Sequence, residues 1–142
     1  MANLVFNSYD VDLAKADVDF LVDTIKVALV TSSYTPDQDA HSFFSSVTNE
    51  VSAAGYTAGG FTLTTKTVTK DNTGNRAVLD SDPAVWSAAS FTARGAVVYK
   101  DTGTAATSPL MLYKDFGSDK TVTAGTFTLN WHATDKMLTI NS

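Results

Sequence analysis

The run from Phe91 to Lys100 alternates along its whole length. Phe91, Ala93, Gly95, Val97 and Tyr99 fall on one face, and Thr92, Arg94, Ala96, Val98 and Lys100 on the other. A period of two is the signature of a β-strand. Toward Val97 and Val98 both faces become apolar, which predicts a strand inside a sheet covered on both sides. Leu110 to Tyr113 is a second short apolar run, and the polar loop between the two contains Gly103. Together they predict a long-looped hairpin, a scaffold that carries no chemistry of its own.

Further strands are expected at Ile25 to Thr31, at the threonine-rich Phe61 to Lys70, at Arg76 to Asp80 after the turn Asp71 to Asn75, and at Met137 to Ile140. Ser81 to Ala84 turns before Val85 and Trp86. Thr126 to His132 also alternates, with Phe127, Leu129 and Trp131 inward and Thr126, Thr128, Asn130 and His132 outward. One helix of about 11 residues is expected, opening on the capping-box pattern Thr35 to Gln38 with Pro36 first, and carrying Ala40, Phe43, Phe44 and Val47 on one stripe. Abundant threonine, with Glu50 as the sole glutamate beside many aspartates, favours strands and turns over helix surfaces. The expected fold is all-β, a single β-sandwich or barrel-like domain of about eight strands with one short helix. Its predicted core includes Val27, Leu29, Val97, Tyr99, Leu110, Leu112, Phe127, Leu129 and Trp131.

Residues 1–22 show no clear period. Leu4, Val5, Phe6 and Tyr9 form one apolar cluster, and Val18, Phe20, Leu21 and Val22 another. Asp10, Asp12, Asp17, Asp19 and Asp23 face Lys15 alone, so this end holds most of the net charge of -5. Apolar anchors spaced by acids predict an attachment arm that contributes little to the fold, or an edge segment, ahead of a β-sandwich domain at 23–142. No basic stripe suits nucleic acid, no apolar run approaches the roughly 20 residues of a membrane span, and the acidic N-terminus lacks the layout of a signal peptide.

No nucleophile elbow, P-loop, zinc-protease or dinucleotide fingerprint is present, and no cysteine exists to hold a metal. No enzyme activity, catalytic residue, metal or cofactor is expected. Asp37 and His41 share a face if the helix forms, with Asp39 nearby; dipole complementation and solvation account for them. Asp71, Asn72, Asp80 and Asp82 offer oxygen ligands for calcium, without the EF-hand spacing. His132 lies on an outward strand face, which suits a surface or interface. The candidate partner-binding residues are Leu4, Val5, Phe6, Tyr9, Phe20, Trp86, Thr128, Asn130 and His132.

Asp23 to Val30, Gly55 to Gly60, and Thr92 to Arg94 running through Ala96 to Leu110 and on to Asp115 to Gly117 resemble a family of small tailed-phage virion structural proteins. The likeness covers most of the chain from residue 18 onward. Its motifs are structural signatures, with no catalytic motif to carry over. The resemblance implies a virion component of a bacteriophage, first a capsid decoration (cement) protein that binds the major capsid protein shell, or another virion protein, and stabilises the head. It implies location on the capsid surface after synthesis in the host cytoplasm. It also implies a homo-oligomer, with a trimer as first expectation, and neither nucleic acid nor membrane as partner. The alternative is a tail-associated or receptor- or carbohydrate-binding β module that uses Trp86, Tyr56 and loop residues.

Overall fold

The computed structural model describes residues 3–134 and 136–141. In chain order the elements are β1 (Leu4–Val5), α1 (Asn7–Ala14), β2 (Ile25–Val30), β3 (Phe61–Thr62), β4 (Thr67–Asp71), β5 (Arg76–Asp80), β6 (Ala84–Lys100), β7 (Leu110–Leu129) and β8 (Leu138–Asn141). They form two antiparallel sheets, one of five strands in the order β1-β7-β6-β2-β3 and one of three in the order β4-β5-β8. Among the described residues the protein is all-β with eight strands and one α-helix, as its turn-punctuated alternation predicts.

The hairpin β6–β7 is the spine, with strands of 17 and 20 residues. It is longer than the sequence suggests. The expected strand at Thr126 to His132 is the far end of β7, which stops at Leu129, and β6 begins at Ala84 rather than Phe91. Two irregularities hid this continuity. Ala88 has φ of 50°, and the pairing slips between Trp86 and Ala89. Between Ala93 and Gly95 the partner on β7 jumps from Lys120 to Asp115, so Phe116 to Asp119 bulge out. Each slip shifts the side-chain phase. Ala84, Trp86, Ala89, Phe91, Ala93, Ala96 and Val98 therefore all face one core, although their numbers change parity twice. The expectation that Phe91, Ala93, Val97 and Tyr99 share a face fails for this reason.

The large sheet is covered on both faces, as Val97 and Val98 predict. Ile25, Val27, Leu29, Val98 and Met111 pack toward Leu79 of the small sheet. Ala28, Val30, Val97, Tyr99, Leu110 and Tyr113 form a second core on the opposite face. Phe6, Tyr34, Phe44 and Val47 close it. Of the predicted core, Phe127 and Trp131 are half-buried. Trp131 lies beyond β7 and donates from Nε1 to Ser81 Oγ at 2.8 Å.

The helix expected after Thr35 does not form. Asp37 Oδ1 accepts from the Asp39 and Ala40 amides, giving one capped turn. Phe43 is extended, at φ -129° and ψ 157°, and bridges to Pro109; only Phe44–Ser46 winds into a 3-10 turn. The Phe44 ring stacks on Tyr99 with centroids 4.0 Å apart. A short serine-rich helix is marginal alone, and this stacking with strand-like pairing outweighs it. The expected strand at Phe61 to Lys70 divides into β3 and β4, which belong to different sheets, at Thr65 with φ of 52°.

Of the N-terminal segment, the described residues 3–22 dock on the domain, with an edge strand, rather than forming a detached arm. β1 pairs Leu4 with Tyr113 and Val5 with Leu112 at the edge of the large sheet. Phe6, Tyr9, Val18 and Phe20 are buried in the two cores. The one α-helix among the described residues lies here, with Tyr9 as its buried residue. The segment makes a strand, a helix and turns in quick succession, so its inward residues never set up a period.

Glu50 clamps the glycine-rich stretch to the sheet. Its Oε1 accepts from Tyr56 OH at 2.6 Å and from the Gly59 amide at 2.6 Å. Tyr56 OH in turn accepts from the Leu29 amide at 3.0 Å, and Tyr99 OH donates to the Gly59 carbonyl at 2.6 Å. Burial first, and the nearby Glu50 carboxylate after it, push the Tyr56 phenol above its ordinary value of 10.0, so it stays protonated and able to donate.

Candidate functional site

The clusters singled out in the sequence are consumed by structure. Asp71 Oδ1 accepts from the Thr73 and Gly74 amides and its Oδ2 pairs with Arg76 at 2.9 Å, so it closes a hairpin rather than offering calcium a ligand. His41 stacks on Tyr34, and its Nδ1 lies 3.0 Å from the Tyr34 hydroxyl. Among the described residues no group of three or more His, Asp or Glu side chains is arranged to hold a metal, and no helix is long and apolar enough to cross a membrane.

Several candidate contact residues are internal. Phe6 is 0% exposed, Tyr9 1%, Phe20 5% and Trp86 5%, so none of them can meet a partner in this fold. Trp86 sits in an aromatic cluster with Tyr56, Phe61, Phe91 and Phe127, which leaves no open tryptophan face for a sugar. Their burial follows from the two phase shifts in β6 and the turns of the N-terminal segment. Thr128 and Asn130 are exposed, with Val85 paired beside Thr128.

Leu4, Val5 and His132 come together. They line an open groove of about 360 Å³ between β1, at the edge of the large sheet, and β8, at the edge of the small one. Leu112, Met137 and Leu138 complete its apolar lining. Lys114 and Lys136 also line it beside His132, and Asp80 offsets part of their charge through its 3.7 Å pair with Lys136. An open, apolar-floored slot with a charged border suits an aliphatic side chain or turn carried on an acidic segment. Leu112, Lys114, Met137 and Leu138 were not foreseen as contacts, because only the meeting of two sheet edges makes them neighbours.

A second exposed feature lies on the turn before β2, where Leu21 is 52% and Val22 81% exposed. Val11 and Leu13 on α1 are also exposed. Asp10, Asp12, Asp17 and Asp19 surround these residues in sequence. Burial first, then the neighbouring Asp17, raises the Asp12 carboxyl above its ordinary value of 3.8, with Lys15 and Lys100 pulling the other way. The signal available in the sequence was the pair of aspartates flanking two aliphatic residues, Asp19 and Asp23.

Several other carboxylates are held below the ordinary value of 3.8. The Ala40 and Asp39 amides lower Asp37, the Gly74 amide and Arg76 lower Asp71, and Lys26 and the Gly103 amide lower Asp101. Burial alone would raise Asp23, but the Asp19 amide and Lys100 bring it down. A depressed folded pKa stabilises the fold above the unfolded value and loses that contribution as pH falls through the folded one. Asp12 acts in the opposite sense. The melting temperature should therefore hold from neutrality down toward pH 5 and fall below about pH 4, where unfolded carboxylates ordinarily titrate. Calorimetry across that range checks this, and a melting temperature that rises on acidification would contradict it.

The fold and its surfaces define an all-β domain with a rigid scaffold, an open apolar groove and an exposed acidic, aliphatic turn. Comparison of the chain with protein-family models, curated proteins and solved structures finds no match.

Proposed function

We propose that this protein is a bacteriophage virion structural component, and specifically a capsid decoration protein that binds the shell in many copies. One observation carries the reading. The three stretches that resemble small tailed-phage virion proteins meet in one structural unit. Asp23 to Val30 includes β2. Thr92 to Gly117 covers the inner half of the β6–β7 hairpin that pairs with it. Gly55 to Gly60 lies against both, with Gly60 on the β2 backbone and the Gly59 carbonyl accepting from the Tyr99 hydroxyl of β6. The resemblance thus falls on residues that must pack together, as shared scaffold requires, rather than on scattered surface positions.

On this reading the protein works by covering and tying shell subunits, and it needs surfaces rather than a reaction centre. The exposed row Thr126, Thr128 and Asn130, with Val85 beside it, offers the shell hydrogen bonds and one apolar contact without a charge preference. Burial of Trp86 removes the main sequence argument for a carbohydrate-binding module.

Quantitative mass spectrometry of purified particles tests the proposal. A copy number that scales with the shell protein is expected, with particles lacking this protein breaking open at lower temperature. A single small set of copies per particle would overturn the decoration role and place the protein at the tail.

A further inference from the structure

The exposed turn and the groove fit each other. The turn is braced from within. Asp19 Oδ1 accepts from the Leu21 amide at 3.0 Å and the Val22 amide at 3.2 Å, and Asp23 Oδ2 accepts from the Asp19 amide at 2.7 Å. Lys100 Nζ stands 3.0 Å from Asp23 Oδ2, and Lys66 donates to the Asp23 carbonyl. Phe20 roots the turn in the core. Leu21 and Val22 are therefore held out in water by a preorganised loop. An aliphatic pair already fixed in place gives up little freedom on docking and removes apolar surface from water.

The groove supplies the complement. Its apolar floor, formed by Leu112, Met137 and Leu138 with β1, has room for a pair of aliphatic side chains. Lys114 at the groove meets the charge of the exposed Asp17 and Asp19 on the turn, whereas Lys136 is paired with Asp80 and Asp23 with Lys100. We propose that the Leu21–Val22 turn of one copy of this chain docks in the β1–β8 groove of a second copy. Within one chain the turn leads into β2, while the groove lies beyond β1, at the far edge of the order β1-β7-β6-β2. A chain leaves its own turn exposed, and the contact between copies is head-to-tail. Such a contact closes into a ring or runs on as a filament, according to the rotation between copies. The inference concerns the isolated protein and stands apart from any place in a particle.

Sedimentation velocity over a concentration series tests it. The wild-type protein should self-associate, less so at high salt. The double variant Leu21→Ser, Val22→Ser and the groove variant Lys114→Glu, Thr139→Glu, the latter at a β8 residue that also lines the groove, should each associate at least about tenfold more weakly, a loss of about 1.4 kcal/mol. Both sets of positions are at least partly exposed, and unchanged melting temperatures confirm folding. The deciding experiment mixes the two variants. Each retains the half the other lacks, so an equimolar mixture should give pairs and nothing larger. A wild-type protein that stays a single copy, variants that associate like wild type, or a mixture that forms no pairs would each overturn the proposal. None of these results bears on particle copy number.

Discussion

Gly60→Ala should be among the most destabilising single substitutions in this chain, costing more than about 4 kcal/mol, a size reached only by severe steric or burial defects. Two effects combine. Gly60 has φ of 86°, which an L side chain rarely adopts. A Cβ there would lie 2.0 Å from the Val27 carbonyl oxygen and 2.7 Å from Ala28 Cα. Those are backbone atoms of β2, which is paired with β6 on one side and β3 on the other, so they cannot yield. Relief requires β3 to peel away, and that would break the Glu50 clamp on Gly59 and the Tyr99 bond to the Gly59 carbonyl. Gly103→Ala is the control. Its φ is 87°, but nothing lies within 4 Å of the added carbon. It should cost only the conformational penalty, about 1–2 kcal/mol. Chemical denaturation of both variants separates the terms. Equal costs would show that the β2 contact is not rigid.

Phe6→Ala should cost about 3–5 kcal/mol, and deletion of residues 1–11 should prevent stable folding altogether. Phe6 is 0% exposed and completes the second core beside Val97, Tyr99, Leu110 and Tyr113. Its amide donates to the Met111 carbonyl at 3.0 Å. The segment is also tied by the Gln38 side chain to the Val5 carbonyl, at 2.7 Å, and by the Asp115 amide to Asn3 Oδ1, at 2.7 Å. Truncating the ring leaves a cavity against a sheet that cannot collapse to fill it. The melting temperature of Phe6→Ala should fall by about 10 °C or more. An unchanged value would mean that the segment detaches from the body, as an attachment arm would.

The sequence by itself determined the class of fold and the position of its interior strands. Ile25 to Val30 and Arg76 to Asp80 follow from β-branched and apolar runs bounded by turn residues, because local propensity and burial agree there. The double apolar character of Val97 and Val98 correctly required cover on both faces of the large sheet. Leu4, Val5 and His132 could be singled out as surface candidates, yet nothing in the sequence placed them together. Tertiary structure decided the rest. It shifted the phase of β6 at Ala88 and again beside Gly95, placing Trp86 and Phe91 inside. It replaced a well-capped helix signal at Thr35 with a turn and an extended Phe43, because Phe44 gains more on Tyr99 than one short helix can return. It folded an acidic, aperiodic N-terminus into both cores, since scattered single anchors bury as well as a periodic face when each meets a different wall. It also made a groove where β1 and β8, the edges of two sheets, come side by side. Local sequence carries no record of which distant strands will be neighbours, and that choice belongs to packing of the whole chain.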